Sequence, residues 1–311
     1  MSDKEEGPTP YDAVVVDEIV QRGQTVQAVG GSVYYGAIAM ARLGMRVAVV
    51  TRLAARDFPR LEELRAAGIR VFAREASQSS GIRNVYLTDD MDRRLCTPLG
   101  FAGAFALEEI PDLDTPLYLV GPLMAGAVDL ALVRALAART QVALDVQGFV
   151  RVREGANLVL RDWPEKHLGL PLVAVLKADQ AEGEVLTGQS DPQAAAAALA
   201  RLGAREVVLT HSSGVTVWAA GAGYWAPFAP RSLAGRTGRG DTCLAAYLAR
   251  RRAAPPDESC RFAAGVTSLK LEQPGPFAAD LAQVQRLYRE LPVRPLSLSW
   301  APTRVLTGDR A

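Results

Sequence analysis

The order of strand and helix patterns is the sequence feature that most constrains the fold. An apolar strand pattern at 13–20 precedes a helical pattern at 37–43, and a buried strand pattern follows at 46–51. The same alternation resumes between 117 and 210. Because strands that are joined through helices run parallel, this order predicts an α/β fold with a central, mostly parallel sheet that carries helices on its faces.

Two β-rich arms, at 82–88 and 93–97, interrupt this alternation. The turn between them, Asp89-Asp90-Met91-Asp92, predicts a hairpin, and the mixed polar and apolar residues of both arms predict a partly exposed flap. The stretch at 148–169 has no regular pattern, and the proline-containing tail at 292–311 is predicted to be peripheral. Since no internal repeat or linker divides the chain, we expect a single domain over residues 1–311.

The composition supports a large core and argues against some classes of partner. Of 311 residues, 49% are hydrophobic, and a net charge of +1 gives no electrostatic reason to expect nucleic acid or a membrane surface. The polar N-terminus has no apolar signal core, and no run reaches the roughly 18 apolar residues of a membrane span. The three cysteines are scattered, as is typical of a reducing compartment. We therefore expect a soluble, cytoplasmic protein.

Three glycines, Gly235, Gly238 and Gly240, precede the apolar helix pattern that starts at Asp241. Glycines let successive backbone N–H groups turn toward one point, and a helix N-terminus adds partial positive charge there. The stretch therefore predicts an anion site with phosphate as its occupant. Asp241 has two interpretations, and the residues of this stretch favour both equally. It caps the helix, or it takes a proton from a nucleophile beside the phosphate.

A second cluster follows the strand pattern that ends near Lys177. Open α/β sheets bind ligands at the carboxyl ends of their strands, and Asp179 and Glu182 at this end could hold Mg²⁺ through water. The same two residues fit a capping box that needs no metal. The residues alone favour the capping box.

Two weaker clusters have similar alternatives. Thr210, Ser212 and Gly214 follow another strand end and suit nucleotide phosphate or ribose, but they also suit any strand-to-hairpin turn. Asp17 with Gly30-Gly31 could bind the vicinal hydroxyls of a small ligand. The other interpretation of this pair is a tight turn beside a solvated strand residue.

Taken together and in this order, these residues resemble the ribokinase-like (pfkB) sugar kinase family over about 17–277. The segment that begins at Gly30-Gly31 resembles its N-terminal signature. Asp179-Gln180-Ala181-Glu182 resembles its Asn-x-x-Glu segment. Thr237-Gly238-Arg239-Gly240-Asp241 resembles its C-terminal Gly-Ala-Gly-Asp signature, which is the most specific of the three.

The resemblance implies a ribokinase-like three-layer α/β/α fold with a small β-strand lid, formed here by about 12–31 and 82–97, and ATP and Mg²⁺ as co-reactants. It implies that Asp241 is the catalytic base, that Gly238, Arg239 and Gly240 form the anion hole, and that Glu182 organises Mg²⁺. It also implies that the acceptor contacts Asp17, Gly30, Gly31, Tyr34, Tyr35, Asn84 and Tyr86. It implies that ATP contacts Lys177, Asp179, Thr210, Ser212, Gly214 and Thr237.

The predicted function is ATP-dependent phosphorylation of a hydroxyl on a small sugar or a cyclitol such as inositol. A nucleoside kinase on the same fold is an alternative, because Tyr34 and Tyr35 could stack on a base. A non-catalytic nucleotide or sugar sensor is another, favoured by Asp179 where the family has Asn. Arg239, in place of a small residue, could add a charge to the phosphates. Exposed edges of the lid strands predict a homodimer as one assembly.

Overall fold

The computed structural model describes residues 13–16, 20–23, 27–85 and 95–296. Its centre is a ten-stranded sheet. Numbered along the chain and given in spatial order, the strands are β16 (Arg294–Leu296), β15 (Ala222–Pro227), β14 (Gly214–Ala219), β13 (Glu206–His211), β12 (Val175–Asp179), β9 (Gln141–Asp145), β8 (Leu117–Val120), β1 (Ala13–Val16), β4 (Val47–Leu53) and β5 (Arg70–Glu75). Strands β13 to β5 in this order pair in parallel, and β14, β15 and β16 extend the sheet in antiparallel fashion.

Helices cover both faces of this sheet. They are α1 (Ser32–Arg42), α2 (Glu62–Ala66), α3 (Leu130–Arg139), α4 (Gln147–Val150), α5 (Lys166–Gly169), α6 (Gln180–Thr187), α7 (Pro192–Arg201), α8 (Arg239–Arg251), α9 (Pro256–Leu271) and α10 (Leu281–Glu290). Short 3-10 helices span Ala55–Leu61, Leu107–Glu109 and Leu170–Leu172.

Two large hydrophobic clusters lie one on each face of the central sheet. Strand β4 shows why: Val47 and Val49 belong to the cluster under α1 and α8, whereas Ala48 and Val50 belong to the cluster under α3 and α7. A strand that is buried on both faces needs apolar residues at consecutive positions, and β4 has them. The predicted three-layer, mostly parallel α/β/α fold is therefore confirmed.

A second sheet has six strands. In spatial order they are β10 (Arg151–Glu154), β11 (Asn157–Leu160), β7 (Leu95–Gly100), β6 (Gly81–Val85), β2 (Val20–Gly23) and β3 (Gln27–Gly30). Strands β6 and β7 are the antiparallel arms of the predicted hairpin. The turn that was predicted between them lies outside the described residues.

The structure corrects two of the predictions made from sequence, one on the lid and one on an irregular stretch. Residues 13–16, assigned to the lid, form β1 between β8 and β4 of the central sheet, because an uninterrupted Ala-Val-Val-Val run suits a strand that is covered on both faces. The stretch at 148–169, predicted to be irregular, contains α4, α5 and the hairpin of β10 and β11, which joins the small sheet through β7. The positive φ of Gly155, 57°, allows the tight turn of that hairpin.

The tail begins with β16, an edge strand of the central sheet, and residues from 297 onward lie outside the described part. None of the helices in the described ranges combines the length and the apolarity that crossing a bilayer requires.

Candidate active site

The glycine-rich stretch ends in the N-terminus of α8. Gly238 is the N-cap residue with φ +80°, and Asp241 lies in the first helical turn. The first N–H groups of an α-helix have no partner within the helix, and the macrodipole places partial positive charge at the same end. This geometry is the one that the predicted anion site requires.

A second helix N-terminus meets the first at Asp241. Gly31, with φ +90°, is the N-cap of α1, and the hydroxyl of Ser32 donates to Asp241 Oδ1 at 2.8 Å. The partial positive charges of both helix N-termini favour a carboxylate between them. Asp241 therefore does not act as the N-cap, which is Gly238, and its side chain is fixed in orientation beside the anion site.

Gly238 packs against the ring of Tyr35 so closely that a Cβ on this glycine would overlap the ring. We expect Gly238→Ala to destabilise the protein by about 3–5 kcal/mol, since it adds this overlap to the strain of a positive φ. Gly44→Ala is the matched control, because Gly44 has φ +87° and open space around its Cβ position. It should cost only the strain of about 1–2 kcal/mol. Urea unfolding of both variants measures the difference, and equal losses would contradict the packing argument.

Lys177 places a positive charge beneath the first turn of α8. Its Nζ lies 2.9 Å from Asp145 Oδ2 and 3.5 Å from Glu182 Oε2, and the side chain is buried. A Cβ on Gly240 would come within 3.1 Å of this Nζ, so the ammonium contacts the backbone of the anion site. Burial lowers the pKa of Lys177, but the carboxylates of Asp145 and Glu182 outweigh burial and raise it above its ordinary value.

Asp179 and Glu182 form the capping box of α6, as the residues alone favoured. Asp179 Oδ1 accepts from the Glu182 N–H at 2.8 Å, and Glu182 Oε2 accepts from the Asp179 N–H at 2.7 Å. Glu182 is only 1% exposed, and burial together with the charge of Asp179 raises its pKa to about 7. The capping box therefore holds the Glu182 carboxyl inside the protein, 3.5 Å from the Lys177 ammonium.

The acids at the start of α6 fit Mg²⁺ chemically. Glu182 Oε1 is a buried oxygen that accepts no hydrogen bond within the described ranges, and Arg151 Nη2 lies 3.8 Å from it. Asp179 is half-buried beside it and supplies another hard oxygen donor of the kind that Mg²⁺ prefers. No cluster of three or more His, Cys, Asp or Glu side chains in the described part forms a metal cage, so other ligands would have to come from water and substrate.

The structure brings only some of the predicted acceptor contacts toward Asp241. Gly30 and Gly31 are buried at the end of β3 and the start of α1. The hydroxyl of Tyr34 donates a hydrogen bond to Glu63 Oε2 at 2.7 Å. Asn84 is on β6, paired through its backbone with Cys96. Asp17, Tyr86 and the side chain of Asn84 lie outside the described residues.

Three of the six predicted donor contacts lie toward the carboxyl ends of two neighbouring strands, and the other three lie elsewhere. Lys177 and Asp179 end β12, and Thr210 lies opposite Asp179 on β13. Thr210 is buried, Ser212 is exposed in the turn, and Gly214 begins β14 with no room for a Cβ. Thr237 is half-buried in the loop before α8.

Two site residues, Ser32 and Asp145, had been assigned no role from sequence. Ser32 directly follows the Gly30-Gly31 pair, so a hydroxyl at the start of α1 was a detectable signal. Asp145 ends an apolar strand at the ligand-binding end of the sheet, and a carboxylate at that place was a second detectable signal. Their partners, Asp241 and Lys177, are 209 and 32 residues away in the chain, so only the fold reveals these pairs.

Comparison with known proteins agrees with this geometry. The model of the pfkB family of carbohydrate kinases matches residues 7–281. The chain belongs to the pfkB carbohydrate kinase family. It is therefore a phosphotransferase with an alcohol group as acceptor, as the motifs around Gly30-Gly31, Glu182 and Asp241 had predicted. No curated protein matches the chain.

Solved structures of other kinases are similar to this kinase over most of their length. A pyrophosphate-dependent kinase in the ribokinase family, complexed with a pyrophosphate analog and myo-inositol, is 31% identical with a TM-score of 0.79, over 86% of this chain and 97% of that one. A pyrophosphate-dependent myo-inositol-1 kinase, converted by two substitutions into a myo-inositol-3 kinase, is 29% identical with a TM-score of 0.81, over 89% and 99%. Arabidopsis thaliana ribokinase complexed with ribose and ATP, at 19% identity and a TM-score of 0.69 over 90% and 99%, shares the fold.

Proposed function

We propose that this kinase phosphorylates a hydroxyl of myo-inositol or a closely related cyclitol, with pyrophosphate as phosphoryl donor and Asp241 as catalytic base. The observation that carries the mechanism is the Ser32–Asp241 hydrogen bond of 2.8 Å at the joint N-termini of α1 and α8. It fixes a carboxylate beside a site for phosphate.

In this mechanism Asp241 accepts the proton of the acceptor hydroxyl as its oxygen attacks the terminal phosphorus of the donor. The new O–P bond forms while the bond from phosphorus to the bridging oxygen breaks, and the leaving phosphate carries away the bond's electrons. The backbone N–H groups of Gly238, Arg239 and Gly240 stabilise the negative charge of the transferring group. Lys177, beneath the same turn, adds a positive charge.

The acids at the start of α6 would hold Mg²⁺ together with the donor. Asp179 would be the accessible ligand, and Glu182 would contribute negative charge from the buried side. When bound, Mg²⁺ would neutralise charge on the donor phosphates. The small sheet of β2, β3, β6, β7, β10 and β11 would act as the lid that excludes water from the acceptor.

The acceptor assignment rests on the similar kinases that bind or act on myo-inositol, at 29–31% identity. Gly30 and Gly31 support it, since glycines at the start of α1 let a polyhydroxylated ring approach the backbone next to Asp241. The same pair would not by itself separate a cyclitol from a sugar. A panel of acceptors that includes ribose and a nucleoside makes that separation.

The donor assignment rests on charge. Pyrophosphate has neither base nor ribose, so its binding energy must come from phosphate contacts alone. Arg236 is exposed in the loop before α8, and Arg239 is half-buried in the first helical turn, so two arginines stand in the chain on either side of the Gly238 N-cap. Guanidinium groups bind phosphate with strong, charge-assisted hydrogen bonds. Three similar kinases, at 29–32% sequence identity, are also pyrophosphate-dependent.

ATP, the donor predicted from sequence, is the second candidate. One observation favours it: a cavity of about 600 Å³ begins beside the end of β12, with Gln180, His211, Ser212 and Trp225 in its lining. This volume lies within the range of small-molecule pockets, and Trp225 offers an aromatic face for a base. In the ATP mechanism the cavity would hold the nucleoside.

Steady-state kinetics with both donors tests the proposal through two variants. Arg239→Gln should lower kcat/KM for pyrophosphate by about 10- to 100-fold, because it removes a charged contact. Trp225→Ala should leave pyrophosphate kinetics unchanged. Arg201→Gln, in the last turn of α7, is the matched control for loss of a surface charge. Turnover with ATP and none with pyrophosphate, together with a higher KM for ATP in Trp225→Ala, would show that ATP is the donor and would contradict the proposal.

The edges of the small sheet support the predicted homodimer as a further proposal. Its outer strands in the described part are β10 and β3, each paired on one side only. Pairing one such edge between two chains would complete its backbone hydrogen bonds. Sedimentation equilibrium would show a dimer if this is correct and a monomer if it is not.

A further inference from the structure

A lysine ammonium is buried behind the anion site. Lys270 lies in the last turn of α9 and is only 2% exposed. Its Nζ donates to the carbonyl oxygens of Gly235, at 2.6 Å, and Gln273, at 3.3 Å, and lies 5.3 Å from the centre of the Tyr35 ring. A lysine is almost never fully buried without partners for its charge, so this placement calls for a role that an apolar residue would not serve.

Two of the groups that Lys270 contacts, the Gly235 carbonyl and the Tyr35 ring, lie at the two ends of the loop that leads to the α8 N-terminus. Gly235 begins the loop that leads to Gly238, and its N–H donates to the Leu271 carbonyl at 2.8 Å. A Cβ on Gly235 would overlap the Gln273 carbonyl, so the loop lies directly against the end of α9. At the other end of the loop, Tyr35 packs against Gly238. Lys270 therefore contacts both supports of the loop, the carbonyl of Gly235 and the face of Tyr35.

We infer that Lys270 is a positioning residue for phosphoryl transfer: its ammonium is a built-in cation that fixes the loop of residues 235–238 and thereby aims the N–H groups of the α8 N-terminus at the transferring group. The inference rests on the proposed role of these N–H groups as the anion hole. The carbonyls of Gly235 and Gln273 point at one cation, which holds together two oxygens that would otherwise repel each other. The Tyr35 face adds a cation–π contact on the side of Gly238.

The test compares Lys270→Ala and Lys270→Met with Lys166→Met. Lys166 is the control because its ammonium binds Asp162 and the Leu186 carbonyl at the C-terminal end of α6. Lys270→Ala should lower kcat by about 10- to 100-fold, since a small displacement of a catalytic group has this effect, while KM for the acceptor changes by less than about twofold. Lys166→Met should leave both unchanged.

Chemical rescue separates positioning from mere stability. Added methylammonium or potassium should restore kcat of Lys270→Ala saturably, by about tenfold, because the vacated space between the two carbonyls accepts a small cation. Lys270→Met, whose thioether fills that space, should not respond. Rates that fall only in proportion to the folded fraction measured by circular dichroism, with no rescue, would overturn the inference. Wild-type kcat in folded Lys270→Met would do the same.

A binding measurement keeps this test independent of the proposed reaction. Calorimetry with methylenediphosphonate, a non-hydrolysable pyrophosphate analogue, should show weaker binding to Lys270→Ala than to the wild type, and methylammonium should recover it. If the wild type transfers phosphate from neither pyrophosphate nor ATP, the proposed function fails. The comparison of binding affinities still decides the role of Lys270. Equal affinity in the two proteins would overturn that role.

Discussion

Asp241→Asn should reduce kcat by about 10²- to 10⁴-fold, the range expected for loss of a general base. The amide keeps the shape of the carboxylate and can still accept the Ser32 hydroxyl at its Oδ1, so the fold and the joint of α1 and α8 should persist. What disappears is the acceptor for the proton of the attacking hydroxyl. Initial rates at saturating acceptor and donor, with thermal unfolding as a check on folding, measure the effect.

Ser32→Ala is the matched control for this prediction. It removes the hydrogen bond that orients Asp241 but leaves the base, so kcat should fall less than in Asp241→Asn. A folded Asp241→Asn variant with near-normal turnover would exclude Asp241 as the base. A Ser32→Ala variant with a loss as large as that of Asp241→Asn would show that orientation, and not proton transfer, accounts for the effect.

Lys177→Met should destabilise the protein by about 3–5 kcal/mol, the expected cost of leaving a buried charge without its partner. The buried charge that loses its partner is the carboxylate of Asp145, which is 3% exposed and lies 2.9 Å from the Lys177 Nζ. Removal of the ammonium from beneath Gly240 should also lower kcat, since the anion site loses a nearby positive charge. Urea unfolding and steady-state kinetics measure the two effects separately.

The double variant Lys177→Met/Asp145→Asn tests the cause. The asparagine oxygen can still accept from the Gln147 N–H, which donates to Asp145 Oδ1 at 3.0 Å, while the unpaired charge is gone. The double variant should therefore be less destabilised than the sum of the two single variants, with a coupling of about 1–3 kcal/mol. Additive losses would mean that the ion pair is not what holds these two strand ends together.

Much of the fold was predictable because its signals are local. Val47, Val49 and Val50 stand in one apolar run, which indicates a strand buried on both faces. The boundaries of the lid were less predictable. Residues 13–16 join the central sheet through pairing with β4 and β8, which are distant in sequence, and the hairpin of β10 and β11 joins the small sheet through β7.

The site was predictable in its motifs and not in its contacts. Gly238, Gly240 and Asp241 could be found because backbone turning and proton chemistry require those residue types at that spacing. The Ser32–Asp241 pair could not be found, because it joins residues 209 positions apart. Lys270 was hidden for the same reason: its partners are backbone carbonyls, which carry no side-chain signal in the sequence.

The most direct measurement of the central claim follows the phosphorus itself. In ³¹P NMR, wild-type protein with Mg²⁺, pyrophosphate and myo-inositol should produce a phosphomonoester and inorganic phosphate in equal amounts, and Asp241→Asn should form both at least about 10²-fold more slowly. Conversion of pyrophosphate to phosphate alone, with no ester from myo-inositol, would contradict transfer to the cyclitol. Ester formation at the wild-type rate by a folded Asp241→Asn variant would contradict the assignment of the base.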